Sequence, residues 1–202
     1  MYTGSVGKVL PLIYCVGKET HVGEPLQGLN ASWMAAEAVN QIELSDNYID
    51  RKGDEATPPP TCLKLADLKG EYSVQTPSHA YVLYNILTLT SSPDELLEKL
   101  QHTLISCSNA LFERIALKHT GGEEINRRLR PKVFTFEELF EKGLNRFGVS
   151  LEKELERALN NDEDSRELSV RAAAVLSNFF YSRSPILSAS VRATLLSPCL
   201  FD

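Results

Sequence analysis

The chain has 202 residues, of which 43% are hydrophobic and 24% are charged, and its formal net charge is -6. These values are typical of one globular domain with a substantial core, and they exclude a fibrous or wholly disordered chain. The acidic balance disfavours nucleic acid or an anionic membrane surface as a partner. No apolar run reaches the roughly 18 residues of a membrane span and no signal peptide is recognisable, so we expect a cytoplasmic protein.

The first predicted element is a strand over residues 5–16, which are rich in β-branched and apolar side chains. A stretch dense in turn-forming residues follows over residues 18–31, with the sequence KETHVGEPLQGLNA. Apolar residues then recur at helical spacing over residues 31–42, and Asn30 is well placed to cap that helix. The pattern predicts a strand, a loop that carries His21, and a helix.

The next part of the chain predicts a loop, a hairpin and a long helix. Residues 44–61 are polar and include three consecutive prolines, which excludes a helix or a central strand. Two strands are predicted over residues 62–74 and 80–89, and the turn between them makes the pair a hairpin. A capping box at Ser92 begins a long helix with one apolar stripe, which a glycine pair ends near residue 121.

Residues 123–183 are charged and helical in pattern throughout, and three helices are predicted there. One begins at a capping box on Thr135, a second begins at Ser150, and a third spans about residues 165–181. A last strand is predicted over residues 186–196.

This element order predicts an α+β fold. In the ferredoxin-like split βαβ arrangement, two helices cover one face of a four-stranded antiparallel sheet, and the first and last strands are neighbours. We expect a single domain over residues 1–202, with an α+β core at 1–119 and 185–202 and a three-helix insertion at 120–184.

Little in the sequence indicates a self-contained catalytic site. None of the four histidines lies in an H-x-D, H-x-H or H-E-x-x-H setting, and no nucleophile elbow or phosphate loop occurs. The four cysteines are far apart and are expected to be reduced, mostly buried thiols. The basic cluster at residues 127–132 is interpreted as a solvated connection. We therefore expect this chain to bind no metal and no cofactor.

A longer pattern surrounds the histidine loop. A strand ends in Gly17-Lys18, His21-Val22-Gly23 and Pro25 follow, and Gly28-Leu29-Asn30-Ala31 opens a helix. This pattern resembles the lid or dimerisation domain of the di-zinc aminoacylase and glutamate carboxypeptidase family, zinc-peptidase family M-twenty. Within that family the likeness is greatest to the RocB type, which is named for arginine utilisation, through the segments VGKETHVGEPLQGLNAS, GDEATPPPTCLK and EYSVQTP.

The resemblance implies a two-domain metallohydrolase in which this lid is inserted into a zinc-binding domain that is absent from the chain. The complete enzyme would hydrolyse an amide bond of a small peptide or an acylated amino acid through a metal-activated water. The resemblance also implies a homodimer, in which His21 reaches into the partner subunit's active site and stabilises the oxyanion of the tetrahedral intermediate. By the same resemblance Gly28 and Asn30 are candidate substrate-binding residues, although turning the chain and capping the helix would also explain them.

Two positions depart from the family pattern. Asn85 and Leu87 stand where the family has Asp and Arg in its third lid strand, so the roles of those charged residues do not carry over. His79 lies in the same strand and is expected to pack against its neighbours. A second hypothesis is a free-standing interaction module with a ferredoxin-like fold, and a third is a small complete hydrolase with His21 as general base. The parent reading frame would separate the first two, because only a lid requires flanking zinc-binding segments.

Overall fold

A computed structural model describes residues 6–118, 131–159, 170, 172–175 and 192–196. The strands are β1 (Gly7–Val9), β2 (Leu12–Val16), β3 (Arg51–Lys52), β4 (Glu55–Ala56), β5 (Thr61–Asp67), β6 (His79–Thr88), β7 (Lys132–Thr135) and β8 (Arg192–Leu196). The helices are α1 (Ala31–Ile42), α2 (Pro93–Lys118), α3 (Phe136–Phe147) and α4 (Val149–Leu159), and short 3-10 turns lie at Pro25–Gln27 and Asp46–Tyr48. Residues 170 and 172–175 are also helical.

The main sheet runs in the order β5, β6, β2, β8 and β7, and β3 and β4 form a separate two-stranded hairpin. β1 and β2 pair with β6 in one continuous antiparallel register, from Gly7 opposite Thr88 to Val16 opposite His79. The break between them contains Pro11, whose carbonyl still accepts the N–H of Tyr84 at 3.0 Å. The predicted α+β class, the antiparallel pairing of β5 with β6 and the pairing of the first and last strands are confirmed. The first strand of the hairpin was predicted to continue to residue 74, but β5 ends at Asp67 and residues 68–78 form the connection to β6.

The principal core lies between one face of the sheet and the helices α1 and α2. Strand residues of this face alternate with residues of the opposite face, as the period of two in a β-strand requires. The fully buried members of this core include Ile13 and Tyr84 from the sheet, Ala35 and Ile42 from α1, and Leu100 from α2. The apolar periodicity of both helices therefore matches the face that they bury.

The opposite face of the sheet is covered as well. Leu12, Tyr14 and Val16 of β2 point away from α1 and α2, and they pack in a cluster with Ala173 and Phe136. Every residue of β2 is buried, as expected for a central strand with layers on both sides. Segments from the predicted insertion thus form a third layer across the sheet.

The prediction that residues 123–183 are helical throughout is wrong at β7. This strand pairs in parallel with β8, from Lys132 opposite Arg192 to Thr135 opposite Leu195. It extends the sheet beyond the four antiparallel strands that were predicted. A run of four residues, KVFT, is too short for periodicity to separate a strand from a helix start, and pairing with a strand distant in sequence decides its conformation.

The predicted helix starts are formed by local hydrogen bonds. In the capping box of α2, Ser92 N donates to Glu95 Oε2 at 2.8 Å, and Glu95 N donates to Ser92 Oγ at 3.2 Å. Thr135 and Glu138 form the corresponding capping box of α3, which ends at Gly148 with a positive φ of 55°. The predicted glycine stop near residue 121 and most of the third predicted helix lie outside the described residues.

An ion pair joins α1 to α2. The carboxylate of Glu37 is only 3% exposed, and it accepts two hydrogen bonds from the guanidinium of Arg114, at 2.8 and 3.4 Å. Bidentate pairing compensates for much of the cost of burying the carboxylate. In the described part of the chain, none of the helices combines the length and the apolar character that a bilayer crossing requires.

Candidate functional site

The His21 loop, defined as residues 19–28, leaves the end of β2 and returns to the start of α1. Lys18 and Leu29 form an isolated antiparallel bridge at its base, where Lys18 N donates to Leu29 O and Leu29 N donates to Lys18 O, both at 2.8 Å. The loop is therefore closed by backbone hydrogen bonds before α1 begins.

Two glycines allow the backbone to approach itself at this base. A Cβ on Gly28 would lie 2.4 Å from the carbonyl oxygen of Lys18 and 2.7 Å from Cγ2 of Thr20. A Cβ on Gly17 would lie 2.1 Å from the carbonyl oxygen of Leu29. Such distances are far inside van der Waals contact, so the close approach requires glycine at both positions. Gly28 thus has a structural role in addition to its predicted substrate contact.

The loop is docked against the segment that precedes β6, residues 74–78, which we call the docking segment. Val22 N donates to Val74 O at 2.9 Å, and Thr76 N donates to Thr20 O at 2.8 Å. The side chain of Thr76 adds a third bond, because its Oγ1 accepts the N–H of Thr20 at 3.1 Å. The position of His21 is therefore set by a segment more than fifty residues later in the chain.

The imidazole of His21 is exposed, and one of its nitrogens is bound within the loop. Nδ1 accepts the backbone N–H of Gly23 at 3.0 Å. The carbonyl oxygen of His21 accepts the N–H of Glu24 at 2.9 Å, which closes a tight turn around the histidine. None of the described residues makes a hydrogen bond to Nε2. The ring is thus held at one nitrogen and open at the other.

Asn30 caps α1 as predicted. Its Oδ1 accepts the N–H of Ser32 at 2.8 Å and that of Trp33 at 3.4 Å. The next residue is tied to the docking segment, because Ala31 N donates to Pro77 O at 3.0 Å. Capping occupies the side-chain oxygen of Asn30, so its Nδ2 amide is the group that could meet a substrate.

The three predicted site residues occupy two parts of this structure. Gly28 and Asn30 lie where the chain leaves the loop and enters α1, whereas His21 lies where the loop meets the docking segment. Sequence reasoning did not anticipate the role of Thr76, since residues 75–78 were interpreted as the turn of a hairpin. The segment EYSVQTP, singled out in the family resemblance, was the signal that could have indicated it.

A cleft of about 240 Å³ opens beside the loop, and its lining includes Glu19, Lys69, Thr76 and His79. His79 is half-buried, its Nδ1 lies 3.0 Å from Ser78 Oγ, and its ring is tilted against Tyr14. Burial lowers the pKa of His79, and the nearby charge of Glu19 opposes this shift in part. The packing of His79 against Tyr14 agrees with the role expected from the sequence.

Metal ligands do not converge in the described residues. No group of three His, Cys, Asp or Glu side chains among them is placed to hold a metal ion. The cysteines of this part of the chain, Cys15, Cys62 and Cys107, are free thiols. Burial raises the pKa of Cys15 to about 12 and that of Cys107 to about 11, so neither thiol is activated as a nucleophile.

Comparison with known families places this site in context. The sequence model of the peptidase dimerisation domain matches residues 7–110, from the first strand to a point within α2. The chain belongs to this family. The matched region of the dimerisation domain contains the His21 loop, the docking segment and both strands of the β5–β6 hairpin, whereas β7, α3 and α4 lie beyond it.

Two curated relatives of this dimerisation domain come from Bacillus subtilis (strain 168). The chain is 36% identical over 197 residues to the uncharacterized protein YqjN, a match that covers 92% of this chain and 35% of that protein. It is 26% identical over 171 residues to RocB, and this match covers 81% of this chain and 30% of RocB. The chain thus spans about a third of the length of the curated relatives it matches.

Two solved structures share part of the backbone arrangement of the chain. Aminopeptidase PepT from Bacillus cereus is 14% identical, with a TM-score of 0.40 over 52% of this chain and 26% of that one. An aminobenzoyl-glutamate utilization protein from Klebsiella pneumoniae is 11% identical, with a TM-score of 0.41 over 95% of this chain and 43% of that one. Membership of the dimerisation-domain family therefore rests on sequence.

Proposed function

We propose that this chain is the lid and dimerisation domain of a RocB-like zinc-dependent peptidase or amidohydrolase that acts on small peptides or acylated amino acids. In this proposal His21 donates a hydrogen bond to the oxyanion in the active site of the partner subunit. The observation that carries the proposal is the geometry of His21, an exposed residue whose ring is held at Nδ1 by its own loop, while none of the described residues bonds to Nε2.

The proposed chemistry needs little from this chain beyond a correctly placed donor. In amide hydrolysis, negative charge develops on the substrate carbonyl oxygen as the tetrahedral intermediate forms, and a fixed N–H donor stabilises that charge. Zinc, held by a separate domain, would supply the activated water. The described residues offer no metal cluster, so on this proposal the isolated chain has no turnover.

The surface around His21 supports contact with another protein. Val22 and Val74, whose backbones are joined in the docking contact, are exposed apolar residues, and Tyr72, two residues before Val74, is 95% exposed. Apolar side chains grouped beside a functional loop are typical of a surface that another molecule covers. On the proposed function, the active-site rim of the second subunit covers this surface around His21.

A second exposed surface supports the proposed homodimer. Of the strands that the structure describes, only β6 pairs with β5, so the other edge of β5 has no strand partner, and at its start Cys62 N donates to Glu43 Oε2 at 2.8 Å. Leu63 and Leu65 on this strand are 55% and 48% exposed. An open strand edge with exposed leucines favours association with a second chain. The same edge would equally serve a free-standing interaction module, which remains the alternative proposal.

The proposal is tested by His21→Ala in the full-length parent enzyme. We expect kcat to fall by roughly 100-fold, the usual cost of removing one oxyanion donor, while zinc content stays unchanged. The matched control is His102→Ala, because the side chain of His102 is 76% exposed on α2, where its Nε2 lies 3.9 Å from Glu98 Oε1. An unaltered kcat in the His21 variant would exclude the oxyanion role.

The interaction-module alternative makes a different prediction for the parent gene. An upstream H-x-D pair and a downstream histidine-bearing segment in the same reading frame would support the lid, because the zinc ligands must come from flanking segments. Their absence from that frame would favour the module.

A further inference from the structure

The contact between Gly23 and His21 determines which ring nitrogen can act as a donor. A neutral imidazole has one N–H donor and one acceptor nitrogen. Nδ1 accepts the N–H of Gly23 at 3.0 Å, so in the neutral ring it carries no hydrogen. The hydrogen must then reside on Nε2, the nitrogen to which none of the described residues bonds.

We propose that Gly23 is a positioning residue, whose backbone N–H selects the Nε2-protonated tautomer of His21 and holds the ring in a fixed direction. This inference rests on the proposed function, which requires a donor at Nε2. To the proposed function it adds the group, the Gly23 N–H, that keeps the hydrogen on Nε2.

The turn around His21 directs one particular amide at the ring. The N–H groups on either side of Gly23 are already used, since that of Val22 donates to Val74 O and that of Glu24 donates to His21 O. The intervening N–H of Gly23 is the one that points toward Nδ1. Because the turn is docked through Val22 and Thr20 onto the docking segment, the direction of this amide is set by the fold.

A side chain at position 23 would disturb this contact. A Cβ on Gly23 would lie 3.1 Å from Nδ1 and 3.5 Å from Cε1 of His21. The first distance is tighter than an ordinary van der Waals contact, so the ring would have to move away from the amide that binds it. Glycine two residues after the histidine therefore leaves room for the ring to lie against the Gly23 amide.

The identity of the tautomer decides the sign of the interaction with an oxyanion. With the hydrogen on Nε2, the ring presents a donor to the negative oxygen and stabilises it. With the hydrogen on Nδ1, the ring would present a lone pair to that oxygen, and the interaction would be repulsive. Selection of the tautomer is therefore as important to the proposed step as the presence of the imidazole.

The direct test is the nitrogen-15 NMR spectrum of the His21 ring in the 202-residue chain. In mildly alkaline buffer an ordinary imidazole is neutral, and protonated and non-protonated ring nitrogens are well separated in chemical shift. We expect Nδ1 to be non-protonated and Nε2 to be protonated in most molecules. A spectrum dominated by the Nδ1-protonated tautomer would overturn the inference, without the need for any variant.

The second test compares Gly23→Ala with Gly70→Ala. The two substitutions are chemically identical, but among the described residues nothing beyond its chain neighbours lies within 4 Å of a Cβ at Gly70. In the chain, Gly23→Ala should reduce the preference for the Nε2-protonated tautomer, whereas Gly70→Ala should retain it. In the full-length parent, Gly23→Ala should lower kcat by about tenfold with a smaller change in KM and unchanged zinc content, the loss that follows from misplacing one hydrogen bond.

The possible failures are distinguishable. If His21→Ala leaves kcat unchanged, the proposed function itself is wrong. If His21→Ala lowers kcat but Gly23→Ala changes neither the tautomer nor kcat, the oxyanion role stands and the role of Gly23 is refuted.

Discussion

Substitution of Gly28 by alanine should destabilise the chain, because Gly28 lies at one of the two positions where the backbone approaches itself closely at the base of the His21 loop. The new Cβ would be placed 2.4 Å from the carbonyl oxygen of Lys18, a backbone atom that cannot rotate away. This clash can be relieved only if the two backbone segments at the base of the loop separate. That separation would break the bridge of Lys18 with Leu29 and its two hydrogen bonds of 2.8 Å.

The expected loss of stability comes from two contributions, the broken hydrogen bonds of the bridge and the insertion of a methyl group. Each backbone hydrogen bond contributes about 1 kcal/mol net, and inserting a methyl group into a closely packed site costs about 1 to 3 kcal/mol. Partial relaxation means that the terms do not add fully, so we expect a loss of about 3 kcal/mol. For a chain of this length, this loss corresponds to a decrease in Tm of roughly 6 to 12 °C.

The assay is urea and thermal unfolding of the 202-residue chain, followed by circular dichroism. Gly70→Ala serves as the control, since its Cβ would meet nothing within 4 Å, and its stability should stay within about 1 kcal/mol of the wild type. If Gly28→Ala unfolds at the same urea concentration and temperature as Gly70→Ala, the steric reasoning is refuted. A loss of substrate affinity in the parent without any loss of stability would instead favour a purely substrate-binding role for Gly28.

Two further substitutions test how the scaffold is held together. Arg114→Met should cost about 3 kcal/mol in urea unfolding, because it leaves the buried carboxylate of Glu37 without its cation, and adding Glu37→Gln should restore part of that loss. Arg157→Met, on an exposed helix face, should have little effect, and equal losses in the two arginine variants would contradict this assignment. Asp50→Asn should lower the free energy of unfolding by about 1 to 2 kcal/mol at neutral pH. The carboxylate of Asp50 lies in a partly solvated site and accepts the N–H groups of Leu89, Thr90 and Ser91 at 2.7 to 2.8 Å. These bonds hold the pKa of Asp50 well below its usual range, so the stability they contribute is present above the ordinary value of about 3.9 and is lost as the pH falls below it. The stabilities of wild type and variant should therefore converge in acid, and a difference that persists at low pH would show that the charge of Asp50 is not responsible.

The insertion illustrates a limit of sequence reasoning. Its capping box at Thr135 is a local signal, and it was predicted from a few adjacent residues. β7 was not predicted, because a strand of four residues is stabilised by pairing with β8 rather than by its own pattern. Covering of the second sheet face by Phe136 and Ala173 was not predictable either, since it depends on which segments meet across the sheet.

Short-range chemistry specified the cap at Asn30, the apolar stripes of α1 and α2, the pairing of β5 with β6, and the family pattern around His21, and all of these could be predicted from the residues alone. How that histidine is presented depends instead on contacts that form on folding. The docking segment lies far from the loop in sequence, yet its backbone holds the turn through Thr20 and Val22. That turn then directs the Gly23 amide at Nδ1. Hydrogen bonds between distant backbone groups leave no periodic trace in a sequence, and for this reason the open donor nitrogen of His21 became apparent only in the folded chain.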